Sequence, residues 1–213
     1  MWRSALKILG TILLIITAVV FYYYGYPSDK SDHYFSESNK ENENTQIVKL
    51  QEVAKKARSY CKARGYNNDV CLLVDMSMPS GKNRLFEYDL KHDSILSIGL
   101  VAHGSCNDNF LANPKFSNEP GCGCTSLGKY KIGYKYKGKF GNAYKLYGLD
   151  SSNNNSFKRN IILHSYYMVP DKETYPAPIC NSLGCAMVST TYIKTLAKHI
   201  DASDKPMLLW IFE

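Results

Sequence analysis

The sequence has no long basic block, no zinc-finger spacing, no arginine-rich run and no aromatic–glycine signature of RNA binding. Nucleic acid is therefore excluded as a ligand class despite a formal net charge of +7. No cysteine lies near the N-terminus to accept a lipid, and no small-x-small cleavage pattern precedes Pro27. No segment repeats, which excludes solenoids and propellers. Between Pro27 and Thr45 aliphatic residues are almost missing, so that stretch cannot bury enough apolar surface to order itself.

What is present begins with an apolar run. Arg3 and Lys7 precede the uncharged 19 residues from Ile8 to Tyr26. A helix needs roughly 20 apolar residues to cross a bilayer. Tyr22, Tyr23 and Tyr24 close the run where an interfacial aromatic belt would sit, and the basic residues lie on the cytoplasmic side. Residues 1–26 are expected to be an uncleaved signal anchor in the cytoplasmic (inner) membrane, with the rest of the chain exported; cleaved secretion is the alternative. Residues 27–45 read as a flexible spacer.

Ile47, Leu50, Val53, Ala54, Ala57 and Cys61 recur at helical steps, which predicts an amphipathic helix within 46–69, stopped by Gly65 and Asn67-Asn68. From Val70 the texture changes to short strands rich in β-branched, aromatic and leucine residues: VCLLVDM, RLFEYDL, ILSIGLVAHG, KYKIGYKY, AYKLYGLD and NIILHSYY. A second helix, TYIKTLAKHI, starts from Ser189 or Thr190, and PMLLWIFE ends the chain as a buried strand. Many strands with few helices predict a mainly β fold over 70–213, a sandwich or barrel of mixed sheets rather than a doubly wound sheet. The 17 tyrosines suit that class.

Export changes how the seven cysteines read, because an oxidising compartment favours pairing and an odd count leaves one sulfur over. Cys61 and Cys71 flank one turn and are a plausible local disulfide. Cys122 and Cys124, in a Cys-Gly-Cys run, are expected to pair toward Cys106 or Cys180. A zinc site from that run with His103 and Cys106 is the lesser reading, since oxidised thiols do not ligate zinc. No metal or other cofactor is expected.

Cys185 follows Gly184, whose freedom allows a sharp turn and leaves amides directed at the sulfur's surroundings, where they can hold an oxyanion. The sulfur attacks as thiolate and needs a base or a cation beside it. Of five histidines, His164 at the end of NIILHS is best placed, with His103 its rival; His33, His92 and His199 lie in the spacer, a turn and a helix end. By pattern alone a structural cysteine stays open.

His164-Ser165, followed 21 residues after His164 by Cys185 in SLGC, resembles the signature of the L,D-transpeptidases of bacterial peptidoglycan, the YkuD-type catalytic domain. GLVAHG at 99–104, FSNEPGCGCTSLGKYKIG at 116–133, YKGKFGNAYKLYGLD at 136–150 and NIILHSYYMV at 160–169 agree with that family in order. Leu183 and Met187 depart from it, standing where many members have His and Asn or Arg. Leu183 points to a branch with an apolar residue there. The resemblance implies Cys185 as nucleophile, His164 as base and the Ser165 carbonyl as orienter of the ring. The amides of Leu183, Gly184 and Cys185 form the implied oxyanion hole, with His103 and Ser182 as pocket candidates. It implies peptidoglycan stem peptides as partner and a transfer that expels D-Ala and forms a 3-3 cross-link. A carboxypeptidase, an inactive disulfide-stapled wall-binding module and a thiol-redox protein using the Cys-Gly-Cys run are the competing readings.

Overall fold

A computed structural model of the chain describes residues 13–17, 19–20 and 29–213, with side chains described from Asn44 within the first long helix. The expected membrane anchor falls largely outside these residues. Among the described residues no helix is long and apolar enough to cross a membrane. The chain divides into two units, Met1–Val48 and Lys49–Glu213.

From Asp29 the elements run α1 (Asp29–Arg64), β1 (Val70–Asp75), β2 (Leu85–Asp89), β3 (Ser94–Gly99), β4 (Gly128–Gly138), β5 (Gly141–Gly148), β6 (Ile162–Ser165), β7 (Ala186–Val188), α2 (Tyr192–Ala202) and β8 (Leu208–Phe212). Helix α1 starts well before the expected residue 46 and takes in most of the stretch read as a flexible spacer. No Gly or Pro interrupts the sequence between Pro27 and Gly65, so nothing there forbids helical backbone. Its end is where the glycine predicts. Gly65 has φ of 71°, and the Tyr66 amide donates back to the Cys61 carbonyl at 3.0 Å, closing the last turn. Asn67 Oδ1 then accepts the amides of Asp69 and Val70 and turns the chain into β1.

The strands form one mixed sheet in the order β3-β2-β1-β8-β4-β5-β6-β7. This corrects the expectation of several sheets: β8 inserts between β1, which it meets in parallel, and β4, which it meets antiparallel, and so joins the two halves. The two ends of the sheet also meet. The expected strand 95–104 stops at Gly99, and the chain beyond it crosses to β7 through an Ala102–Met187 bridge and a Gly104–Ser182 bridge. Buried Arg84 holds that crossing in place by donating from Nε and Nη2 to the Val101 carbonyl.

Strand alternation sends side chains to two cores. Leu72, Val74, Tyr144, Leu146, Leu163 and Leu209 pack with Ile193 and Leu196 of α2. Cys71, Leu73, Tyr88 and Leu208 pack with Leu50, Ala54, Ala57 and Cys61 of α1. Each fully buried leucine or isoleucine there contributes about 1.5–3 kcal/mol. Helix α2 forms as predicted, and Ser189 Oγ accepts the Tyr192 amide at 2.9 Å at its start.

Candidate active site

The site lies on the face of β5, β6 and β7 opposite the α2 core. Across β5 and β6, Lys145 pairs with Ile162 and Ala143 with His164; across β6 and β7, Leu163 pairs with Ala186 and His164 with Met187. Paired residues share a face. Tyr144, Leu163 and Ala186 therefore enter the α2 core, while Ile162, His164 and Met187 take the other face of the sheet, where Met187 packs with Leu100, Ala102, Val169 and Ile179. Ile162, His164 and Met187 line a cleft of about 720 Å³ together with Cys180, Ser182, Leu183, Cys185, Tyr136 and Phe140. The short strand β7, invisible as a strand in the sequence, is what sets Cys185 beside this face.

His164 is nearly buried, at 6% exposure. Its Nδ1 donates to the Ser165 carbonyl at 2.9 Å, which fixes the proton on that nitrogen and leaves Nε2 as the acceptor. The Phe140 ring stacks on the imidazole with centroids 5.7 Å apart, and Ser165 Oγ donates to the Phe140 carbonyl at 2.6 Å. Burial holds the ring's pKa below the ordinary histidine value, partly offset by the bond to Ser165, so the ring is neutral at neutral pH.

Cys185 is an unbonded, partly buried thiol. Its Sγ donates to the Asn160 carbonyl at 3.8 Å. Burial pushes the thiol pKa up, and the Ile162 amide, Lys145 and Arg159 pull against that rise. Gly184, with φ of 104°, occupies backbone space that other residues rarely enter. A Cβ at that position would stand 2.5 Å from the Cys124 carbonyl oxygen. The Gly184 amide donates to Ser182 Oγ at 3.0 Å, so of the three amides expected to hold an oxyanion this one already has a partner.

The other expected residues divide. Ser182 and Leu183 line the cleft, and Leu183 is 73% exposed. His103 does not, which corrects its place as a pocket residue. It has no exposed surface, and Arg84 Nη2 donates to its Nδ1 at 2.8 Å while its Nε2 donates to the Leu111 carbonyl at 3.0 Å. Cys106 pairs with Cys124, which removes both sulfurs from the zinc reading, while Cys122, expected to pair with Cys106 or Cys180, is a free, partly exposed thiol. Cys61 and Cys71 are not bonded to each other; both are buried free thiols between α1 and β1, against the local disulfide expected there. Cys180 and Cys185 line the same cleft as separate free thiols.

Sequence reasoning missed Arg159, Lys145 and Phe140. Arg159 donates to the Ser117 carbonyl at 3.0 Å and also to Ser126 Oγ and the Cys124 carbonyl, and so ties the segment after Cys124 to the loop before β6. Strand alternation in AYKLYG separates Lys145 from the core side chains, yet nothing local to it signals that the 150s loop would cover that face.

Residues 41–210 match a family model described as the L,D-transpeptidase catalytic domain. Among solved structures, the chain is similar to an L,D-transpeptidase from Mycobacterium smegmatis, with 13% identity over 68% of this chain and 59% of that one, at a TM-score of 0.40. It is also similar to a mutant of the Enterococcus faecium L,D-transpeptidase, with 12% identity over 68% of this chain and 50% of that one, at a TM-score of 0.42. The helical cell shape determining protein Pgp2 of Campylobacter jejuni gives 15% identity over 68% of this chain and 47% of that one, at 0.40. The chain thus spans about half to three fifths of the length of these structures. No curated protein matches.

Proposed function

The chain belongs to the L,D-transpeptidase catalytic-domain family, and from that membership and the Cys185–His164 cleft we infer that it is a peptidoglycan L,D-transpeptidase. The observation that carries the reading is a free thiol sharing one cleft with a buried, neutral histidine whose Nδ1 proton is committed to the Ser165 carbonyl. Nucleophile, base and orienter are the parts that covalent acyl transfer requires.

In this reading His164 Nε2 takes the Cys185 proton. The thiolate attacks the penultimate peptide carbonyl of a tetrapeptide stem, and the amides of Leu183 and Cys185 are assigned to hold the oxygen that becomes negative. The Gly184 amide joins them when Ser182 Oγ releases it. The C–N bond to D-Ala breaks, and its amine leaves with the proton from His164. The resulting thioester favours amines over water as it breaks down. An acceptor amine attacks the acyl carbon, His164 takes the amine's proton, and the sulfur leaves to regenerate the thiol. Residues 1–26 would anchor the enzyme in the cytoplasmic membrane, with this domain on the outer side, where the substrate lies.

The test is product analysis of purified tetrapeptide muropeptides incubated with the full chain. A 3-3 cross-linked dimer that disappears in Cys185→Ala is the expected result. Tripeptide alone would replace transfer with hydrolysis, a carboxypeptidase. Unchanged product from Cys185→Ala would overturn the nucleophile assignment.

A further inference from the structure

Lys145 sits on β5 with a polar head that no carboxylate of the described residues accepts. The residue is 5% exposed, and its Nζ donates at long range to the Phe157 carbonyl at 3.4 Å and to Asn160 Oδ1 at 3.3 Å and lies over the Phe157 ring, 4.8 Å from its centroid. Both acceptors are neutral. A buried ammonium loses its hydration without an anion to replace it, an arrangement costly for stability alone.

The neighbour that gives this cost a purpose is Cys185. Lys145 pairs with Ile162, and the pair Leu163–Ala186 places Cys185 on the other side of that same residue, so all three lie on one face of the sheet. Asn160 joins the two ends. Its side chain accepts from Lys145, while its carbonyl accepts from Cys185 Sγ, and its backbone is held at φ of 55°.

Five titratable or charged groups bear on Cys185: Lys145 from β5, Tyr130 and Tyr136 from β4, His164 from β6, and Arg159 from the loop before β6. The tyrosines are neutral near neutral pH. Arg159 donates to the Cys124 and Ser117 carbonyls and to Ser126 Oγ, all neutral, so its charge also reaches the sulfur, from the far side of Gly184. Asp108, which also lines the cleft, is engaged by Lys115 Nζ at 3.6 Å. Lys139, Tyr166 and Cys180 also line the cleft, with Lys139 Nζ over the Phe140 ring at 5.5 Å; Lys145 is the cation that shares Asn160 with Cys185.

We propose that Lys145 is a positioning residue for the nucleophile: its buried ammonium supplies a positive field that stabilises the Cys185 thiolate as His164 removes the proton, with Asn160 placing the two side chains against one another. The role rests on Cys185 being the nucleophile, and it explains how an apolar pocket that disfavours charge can still present a reactive sulfur.

The test follows the pH dependence of Cys185 alkylation by iodoacetamide in the full chain, with each cysteine resolved by peptide mass spectrometry. Lys145→Gln is expected to move the midpoint up by about one pH unit, which is about a tenfold loss of rate below the midpoint. Lys145→Arg is expected to restore it. A purely structural lysine would lower Tm and leave the midpoint in place, and that result in a folded Lys145→Gln protein would overturn the proposal. If that variant does not fold, the wild-type chain decides. The iodoacetate-to-iodoacetamide rate ratio is expected to be at least about threefold higher at Cys185 than at Cys180, because a fixed cation attracts the anionic reagent; an equal or lower ratio overturns the proposal. Alkylation needs no turnover. An unmoved midpoint beside an inactive Cys185→Ala removes only the lysine's role, whereas product from Cys185→Ala removes the nucleophile reading beneath it.

Discussion

Arg84 donates from Nη2 to Nδ1 of His103 across 2.8 Å, in a core where neither residue has any exposed surface. The contact holds the imidazole in its neutral form, because a second proton would point at a guanidinium. Through the His103 backbone it also holds the cleft. The His103 carbonyl accepts the Ser182 amide at 2.8 Å, and the Ser105 amide donates to the Ser182 carbonyl at 2.8 Å. The turn carrying Cys185 thus hangs from a buried pair that takes no part in the chemistry.

Burial, and then the charge of Arg84, push the His103 pKa down to about 4 from an ordinary 6.5. Between those values the unfolded chain binds more protons than the folded one, so stability rises with pH across the window and is lost as pH falls through it. His164, also depressed, acts in the same direction. The His103 contribution is about 3 kcal/mol by the usual conversion of pKa to free energy. Urea denaturation from pH 7 to pH 4 should show the loss, and His103→Gln should flatten that part of the slope.

Ser165 offers a separation of side chain from backbone. The orienting bond to His164 comes from the Ser165 carbonyl, and the hydroxyl donates instead to Phe140. Ser165→Ala is expected to keep transfer activity within about threefold, while His164→Ala loses about a hundredfold or more, in line with loss of a general base. Steady-state rates on muropeptides check both. A collapse of activity in Ser165→Ala would make the hydroxyl, rather than the carbonyl, the working group.

Gly184→Ala should be disproportionately harmful for so small a change. The added methyl would stand 2.5 Å from the Cys124 carbonyl, at a φ of 104° that alanine seldom adopts. Relief requires moving the turn that bears Cys185, and a shift near 1 Å costs about a hundredfold in rate. Measured kcat should fall by about that factor while far-UV circular dichroism stays native.

The sequence announced β1, β2, β4, β5, β6, β8 and α2 because each carries its own periodicity. A motif pointed to Cys185 and His164, which line one cleft. What stayed hidden depends on contacts between distant segments. Strand β7 is three residues long and exists only because β6 lies beside it. The crossing at 100–105 looks like a continued strand until Arg84 and Met187 are placed. The fate of Cys61 and Cys71 could not be read from their spacing, since helix α1 and strand β1 present both sulfurs to a packed core.

Those two thiols yield the last prediction. Cys61 and Cys71 have no exposed surface, and burial pushes Cys61 up to about 11 and raises Cys71 well above its ordinary value. Both thiolate fraction and access are therefore suppressed together. Alkylation of the native chain at pH 8 without reductant should label Cys122, Cys180 and Cys185 and leave Cys61 and Cys71 untouched, whereas denaturant should expose both to labelling. Cys106 and Cys124 should label only after reduction, which should also lower Tm, because a cross-link of 18 residues is worth about 3 kcal/mol through the unfolded chain. Reduction should slow Cys185 labelling as well, since the Cys124 carbonyl braces both Arg159 and the Gly184 turn. A Cys61–Cys71 disulfide peptide in the native digest would contradict the packing described for that core.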